Sequence, residues 1–186
     1  VDRQFKVAVI GATGLVGETM ISVLEERGFP VEKLFALASD RSLGRSLTFR
    51  DKSLGVRELK GFDFSQVDIA LFSAGAETSR EFAPRAVAAG CWVIDNTSEF
   101  RLREDVPLVV PEVNPEALAA LKSPGIIANP NCSTIQLVVA LKPLHDAAGI
   151  ERIDVATYQS ASGAGRVAVE ELARQSIQVL RGKGPV

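Results

Sequence analysis

The chain has 186 residues, 46% of them apolar, and a formal charge of −2, enough for one full domain and part of a second. It offers no basic stripe for nucleic acid, no apolar run of membrane-spanning length, and an N-terminus that enters a strand too early for a secretory signal. Its two cysteines, Cys91 and Cys132, do not make a disulfide scaffold and suit a reducing cytoplasm. With one histidine beside them, no metal site is expected.

Phe5 to Ile10 (FKVAVI) reads as a buried strand running into a Gly-rich turn, GATGLVG, and then a helix over Leu15–Glu26. Gly11, Gly14 and Gly17 are spaced G-x-x-G-x-x-G, a variant of the usual dinucleotide fingerprint, and a further strand, Lys33–Ala38, follows. Glycines at this place permit a tight turn and the close approach of a pyrophosphate to the helix N-terminus. The competing reading is a Gly-rich turn without a ligand.

The end of the second strand is where such a domain reads the adenosine ribose, and the residues there are Ser39-Asp40-Arg41-Ser42-Leu43-Gly44. A carboxylate at this point favours NAD, and Asp40 would serve if it faced the ribose. Arg41 and Ser42 supply a guanidinium and a hydroxyl suited to a 2′-phosphate, so NADP is the expected cofactor. An incidental arginine in a solvated loop is the alternative.

Short alternations between Arg45 and Leu59 predict a small strand pair at the sheet edge. Val67–Ser73 predicts a buried strand, Thr78–Ala89 a helix closed by Gly90, and Trp92–Asp95 another strand, opened by Cys91 as a packing residue. The turn Asn96-Thr97-Ser98 follows. Further on, GIIANPNCSTI reads as a strand at Ile126–Ala128, a turn at Asn129-Pro130-Asn131, and Cys132 on the first turn of a helix reaching about Ala148. A thiol attacks as its thiolate, and the N–H groups and dipole at a helix start favour an anion. A buried, inert cysteine is the other reading. The only histidine, His145, lies about 13 residues along the same helix, or ~20 Å at 1.5 Å per residue, too far to be its base.

Ile150–Tyr158 predicts a strand, Gln159–Gly165 a turn, and Arg166–Leu180 a helix with Val169, Leu172, Ala173, Ile177 and Leu180 on one stripe. Arg181 to Val186 has a loop composition. Strands alternating with helices define an α/β class, a Rossmann-like, doubly wound, mostly parallel sheet over residues 1–131. Residues 132–186 then form the nucleophile helix and the first strand–helix unit of an incomplete second, α+β domain. The turns at Gly11–Gly17, Ser39–Ser42, Ser73–Gly75, Asn96–Arg101 and Asn129–Cys132 all fall at the carboxyl ends of strands, where such sheets bind ligands.

Several long motifs occur in order: GATGLVG, SDRSLG, VIDNTSEFRL, VPLVVPEVNP, GIIANPNCSTIQ and TYQSASGAG. Through them nearly the whole chain resembles the aspartate-β-semialdehyde dehydrogenase family. The resemblance implies an oxidoreductase of lysine, threonine, methionine and isoleucine biosynthesis. It would convert β-aspartyl phosphate to aspartate semialdehyde through an acyl-thioester on Cys132. It further implies that Thr13, Gly14, Leu15 and Val16 line the cofactor phosphates, and that Ser162 and Gly163 lie close to the cofactor. Gln159 would sit beside the substrate, Arg101 would bind the phosphate, and the enzyme would be a homodimer or larger assembly. Members of the family are considerably longer, and their general-base histidine and carboxylate-binding arginine come from the later part. Two other readings are an N-acetyl-γ-glutamyl-phosphate reductase-like enzyme, which shares the layout, and a non-catalytic nucleotide-binding paralogue.

Overall fold

The computed structural model describes residues 3–184. Its strands are β1 (Phe5–Ile10), β2 (Val31–Ala38), β3 (Ser46–Phe49), β4 (Lys52–Glu58), β5 (Ile69–Phe72), β6 (Trp92–Asp95) and β7 (Ile126–Ala128). Its helices are α1 (Leu15–Glu26), α2 (Ala76–Ala88), α3 (Cys132–Ala148) and α4 (Arg166–Leu180). The strands form one seven-stranded sheet in the order β3-β4-β2-β1-β5-β6-β7. Every pair is parallel except the β3–β4 hairpin at one edge. Chain order reverses at β1, whose neighbours are β2 and β5, and a doubly wound sheet opens its binding crevice at that point.

Strand alternation divides the core between the two faces. Val7 and Val9 point with Leu34 and Ala36 into the cluster closed by Ile21 of α1. Ala8 and Ile10 point with Phe35 and Leu37 to the other side, against Phe82, Ala83 and Ala86 of α2. Successive side chains from Val7 to Ile10 in β1 and from Leu34 to Ala38 in β2 are thus buried, as a parallel sheet covered on both faces requires.

The expected elements are present with shifted ends. β2 begins at Val31 rather than Lys33, and β5 is shorter than Val67–Ser73. α2 starts at Ala76 instead of Thr78 because Gly75, at φ +91°, turns the chain into the helix without any polar side-chain cap to mark the start. Between the Asn96–Ser98 turn and β7 the chain runs through turns, a single parallel bridge from Leu108 to Ala128 and a 3-10 helix at Pro115–Ala120, none of which the sequence reading assigned. There Val106, Val109 and Val110 are buried, and Ala128 donates to the Pro107 carbonyl while Val109 donates to that of Ala128.

Ile150–Tyr158 is the main departure. It pairs with no strand among the described residues, and Ile153 and Val155 are 54% and 61% exposed. Its β-branched residues are strand formers, but a strand exists only by its ladder to a neighbour. The apolar stripe of α4 is likewise exposed at Leu172, Ile177 and Leu180, and neither α3 nor α4 has a buried residue. Of the loop expected at the end of the chain, Pro185 and Val186 lie outside the described residues.

The first turn of the fold depends on its glycines unequally. A Cβ on Gly17 would sit 2.1 Å from the Gly11 carbonyl oxygen, whereas one on Gly14 would lie 3.3 Å from the same atom. Gly17→Ala is therefore expected to lower the urea midpoint by the equivalent of about 2 kcal/mol or more, and Gly14→Ala by less than about 1 kcal/mol. Equal midpoints for the two variants would contradict this packing.

Candidate active site

The nucleotide end is built by the β1–α1 turn. Gly11 takes φ +84°, and a Cβ there would meet the Ser73 carbonyl oxygen at 2.6 Å. That close contact brings the β1 and β5 turns together at the sheet's switch point. Gly14 caps α1 with no side-chain hydrogen bond, so the helix's first N–H groups are not taken up by a polar side chain. Together with the positive end of the helix dipole they suit a pyrophosphate. Gly17 lines none of the three clefts described below; it is buried against the Gly11 backbone and serves close packing.

Beside this turn, Thr13 Oγ1 and Ser42 Oγ lie 3.1 Å apart, joining the glycine turn to the loop after β2. Asp40 Oδ1 accepts the Arg41 N–H at 2.8 Å, which commits that carboxylate oxygen to its own loop. No carboxylate lies within ion-pair distance of the Arg41 guanidinium among the described residues. Gly11, Thr13, Gly14, Arg41 and Ser42 line one cleft of about 940 Å³. Glu58 and Lys60 line it too, carried there by the Leu59 N–H bond to the Ala38 carbonyl. The sequence reading missed both, because only the β2–β4 register brings them to the loop after β2.

The other end of the rim is built where β6 and β7 stop. The Arg101 guanidinium donates from Nε to the Asn129 carbonyl and from Nη2 to the Asn96 carbonyl, each at 2.9 Å. The Asn129 amide donates to Asn96 Oδ1 at 2.6 Å, and its backbone N–H to the Asp95 carbonyl. These bonds fix the turn that ends in Cys132, the first residue of α3. Asn131 caps that helix by accepting the Ser133 N–H at 3.0 Å. The N–H of Cys132 belongs to the same set of helix-start donors without an intrahelical acceptor.

Cys132 is exposed and shares a cleft of about 880 Å³ with Arg101, Gln159, Leu15, Val16 and Ser162. Gly163 lines it as well. A smaller hollow of about 430 Å³, bordered by Gly14, Arg101, Ser162 and Gly165, joins the two larger ones into one groove. The 160–165 turn forms a wall of this groove, and Arg166 beyond it reaches Glu18 of α1 at 3.3 Å. Every residue expected at the site except Gly17 thus lies along one groove. His145 stands at the far end of α3, where Nδ1 accepts the Ile150 N–H at 3.1 Å. Cys91 is wholly buried, and its Sγ lies 3.1 and 3.0 Å from the Phe64 and Val67 carbonyl oxygens, either of which accepts its single S–H. Burial, reinforced by the Asp68 and Asp63 carboxylates, pushes its thiol up to about 11. Among the described residues no group of His, Cys, Asp and Glu could hold a metal ion, and no helix is long and apolar enough to cross a membrane.

The doubly wound sheet, the glycine turn at its switch point and the groove along its rim define a nucleotide-binding α/β domain. Residues 6–121 match the family model of the semialdehyde dehydrogenase NAD-binding domain, and residues 141–185 that of the semialdehyde dehydrogenase dimerisation domain. The chain belongs to the semialdehyde dehydrogenase family. It is 60% identical over 181 residues to aspartate-semialdehyde dehydrogenase 2 of Vibrio cholerae, a match covering 97% of this chain and 54% of that one. The Legionella pneumophila aspartate-semialdehyde dehydrogenase is 58% identical over 182 residues, covering 98% and 52%. The crystal structure of the Vibrio cholerae enzyme II complexed with ASA superposes with a TM-score of 0.95 at 58% identity, covering all of this chain and 55% of that chain. That of the Candida albicans enzyme with NADP gives 0.68 at 32% identity, over 80% of this chain and 48% of the other. The chain spans about half the length of the curated relatives it matches.

The contrast between the two thiols is directly measurable. Iodoacetamide at pH 7.5 is expected to label Cys132 and spare Cys91 in the native protein, as read by peptide mass mapping. Both should label in urea. Labelling of Cys91 in the folded state at a comparable rate would contradict its placement.

Proposed function

We propose that this chain carries the cofactor site and the nucleophile of an NADP-dependent aspartate-semialdehyde dehydrogenase, with residues 1–131 as the nucleotide domain and 132–186 as the start of the catalytic and dimerisation domain. The observation that carries this reading is the single groove, lined by Thr13, Arg41 and Ser42 at one end and by Cys132, Arg101 and Gln159 at the other. Identity near 60% to enzymes of that name supports it. The dimerisation-domain match supports association of identical subunits. The two-cysteine composition supports a reducing, cytoplasmic setting.

Cys132 Sγ attacks the acyl carbon of β-aspartyl phosphate, and N–H groups at the start of α3, that of Cys132 included, stabilise the oxyanion as it develops. Phosphate departs towards Arg101, whose planar fork still has N–H groups beyond the two given to Asn96 and Asn129. The thioester left on Cys132 is then reduced to the semialdehyde. When bound, NADPH supplies the hydride for that step. Gln159 orients the acyl group beside the sulfur, and the Ser162–Gly163 turn closes the cofactor side of the groove. Arg41 and Ser42 hold the 2′-phosphate. Asp40 keeps its charge beside them, with Oδ1 accepting the Arg41 N–H, and the Arg41 guanidinium is the group that answers the 2′-phosphate. His145 is too distant to act as the base for Cys132, so that role falls to a group outside residues 132–148.

In the full-length enzyme, Cys132→Ser should reduce turnover more than ~10³-fold while NADPH binding, followed by fluorescence titration, stays within about twofold. A variant with ordinary activity would exclude the nucleophile role. Arg41→Ala should raise the Kd for NADPH roughly 10- to 100-fold and that for NADH less than about twofold. Equal losses for both nucleotides would show that the 2′-phosphate is read elsewhere.

A further inference from the structure

Asp95 is wholly buried at the last position of β6, and the mechanism above does not use it. Its Oδ1 accepts from Ser79 Oγ at 2.8 Å and from the Thr97 N–H at 3.1 Å; its Oδ2 accepts from Thr97 Oγ1 at 2.8 Å. Ser79, on α2, is also fully buried. No cation pairs with Asp95 among the described residues. Desolvating a carboxylate without a counterion is costly, and hydrogen bonds of good geometry have to offset it.

An ionised carboxylate can only accept, so it sets the direction of every bond around it. The Thr97 hydroxyl gives its hydrogen to Asp95 and is left to accept, which it does from the Glu99 N–H at 3.3 Å. Glu99 in turn receives Arg80 of α2 in a bidentate pair at 2.7 and 2.8 Å. The turn after β6 is therefore tied to α2 twice, once inside the core and once at the surface. Two residues further on it delivers Arg101, which spans the Asn96 and Asn129 carbonyls beside Cys132. The buried tie sets the direction of the bond at Thr97, while the bidentate Arg80–Glu99 pair, with the Glu99 side chain only 16% exposed, holds the surface end of the same turn.

We propose that Asp95 is the positioning residue for Arg101. Acting through Thr97 and the 97–100 turn, it aims the guanidinium at the phosphate that enters or leaves beside Cys132. The inference rests on the phosphate-binding role given to Arg101 under the proposed function. An amide in place of the carboxylate presents a donor where Thr97 Oγ1 needs an acceptor. The hydroxyl must then accept from the amide and turn its own hydrogen away from Asp95, so the directed bond that ties the 97–100 turn to the buried carboxylate is lost. Affinity for phosphate should fall with that loss, whereas the nucleotide end of the groove is untouched.

The test uses the full-length enzyme run in the phosphate-consuming direction, with aspartate semialdehyde, NADP and inorganic phosphate. Asp95→Asn and Thr97→Val are expected to raise KM for phosphate about tenfold, with kcat at saturating phosphate within about threefold and the Kd for NADP within about twofold. Thr97→Ser keeps both the N–H and the hydroxyl and should retain the wild-type KM. Protection of Cys132 from alkylation by phosphate gives the same comparison without turnover, and its half-protecting concentration should rise by the same factor. If Asp95→Asn does not fold, the Thr97 pair carries the test alone. An unchanged KM for phosphate in Thr97→Val, or a uniform loss of kcat, NADP affinity and thermal stability, would overturn the positioning role and leave the proposed function standing. A wild-type enzyme without phosphate-dependent turnover would overturn the proposed function, and this inference with it.

Discussion

Two backbone carbonyl oxygens at the ends of neighbouring parallel strands repel one another unless something holds them, and here a single guanidinium does so. Arg101 bonds the carbonyls of Asn96 and Asn129, and the side chains of those two asparagines close the same junction from the other side. Parallel strands alone would leave the β6 and β7 turns as separate loops. Joined this way they form one shelf, from which the helix of Cys132 starts. The arginine therefore has a structural duty as well as the chemical one proposed for it, and its planar fork is what allows both. Lysine, a point charge on a flexible stem, could not bridge two carbonyls in fixed directions.

The nucleotide end obeys a different constraint, close approach of backbone to backbone. Gly11 against Ser73 and Gly17 against Gly11 leave no room for a Cβ, and the turn they allow sits where the sheet reverses its strand order. Neither contact involves a ligand, so this end is a property of the fold itself. The cleft beside it carries Arg41 and Lys60 together with Glu58 and Asp40.

What was legible in the sequence is what depends on near neighbours. The β1–α1 unit, its glycines and the cysteine at a helix start are local patterns, and the structure holds them where the pattern put them. The role of the 150–158 segment was not legible, since strand-forming residues do not say which strand they join. The start of α2 was misjudged because a glycine at positive φ replaces the polar cap that usually marks a helix entry. The partners of Arg101 were hidden for a further reason: they are main-chain carbonyls, 5 and 28 residues away, and carry no residue-type signal. The Asp95–Ser79 bond likewise depends on α2 packing over β6, a tertiary fact.

In the proposed chemistry the sulfur at the start of α3 becomes acylated within this groove. The most direct test of that step is to mix the full-length enzyme with β-aspartyl phosphate in the absence of reduced nucleotide, quench in acid, and map the adduct by mass spectrometry. An aspartyl group on the peptide containing Cys132, with Cys91 unmodified, is the predicted result. An adduct on any other residue, or none at substrate concentrations that support turnover, would contradict it.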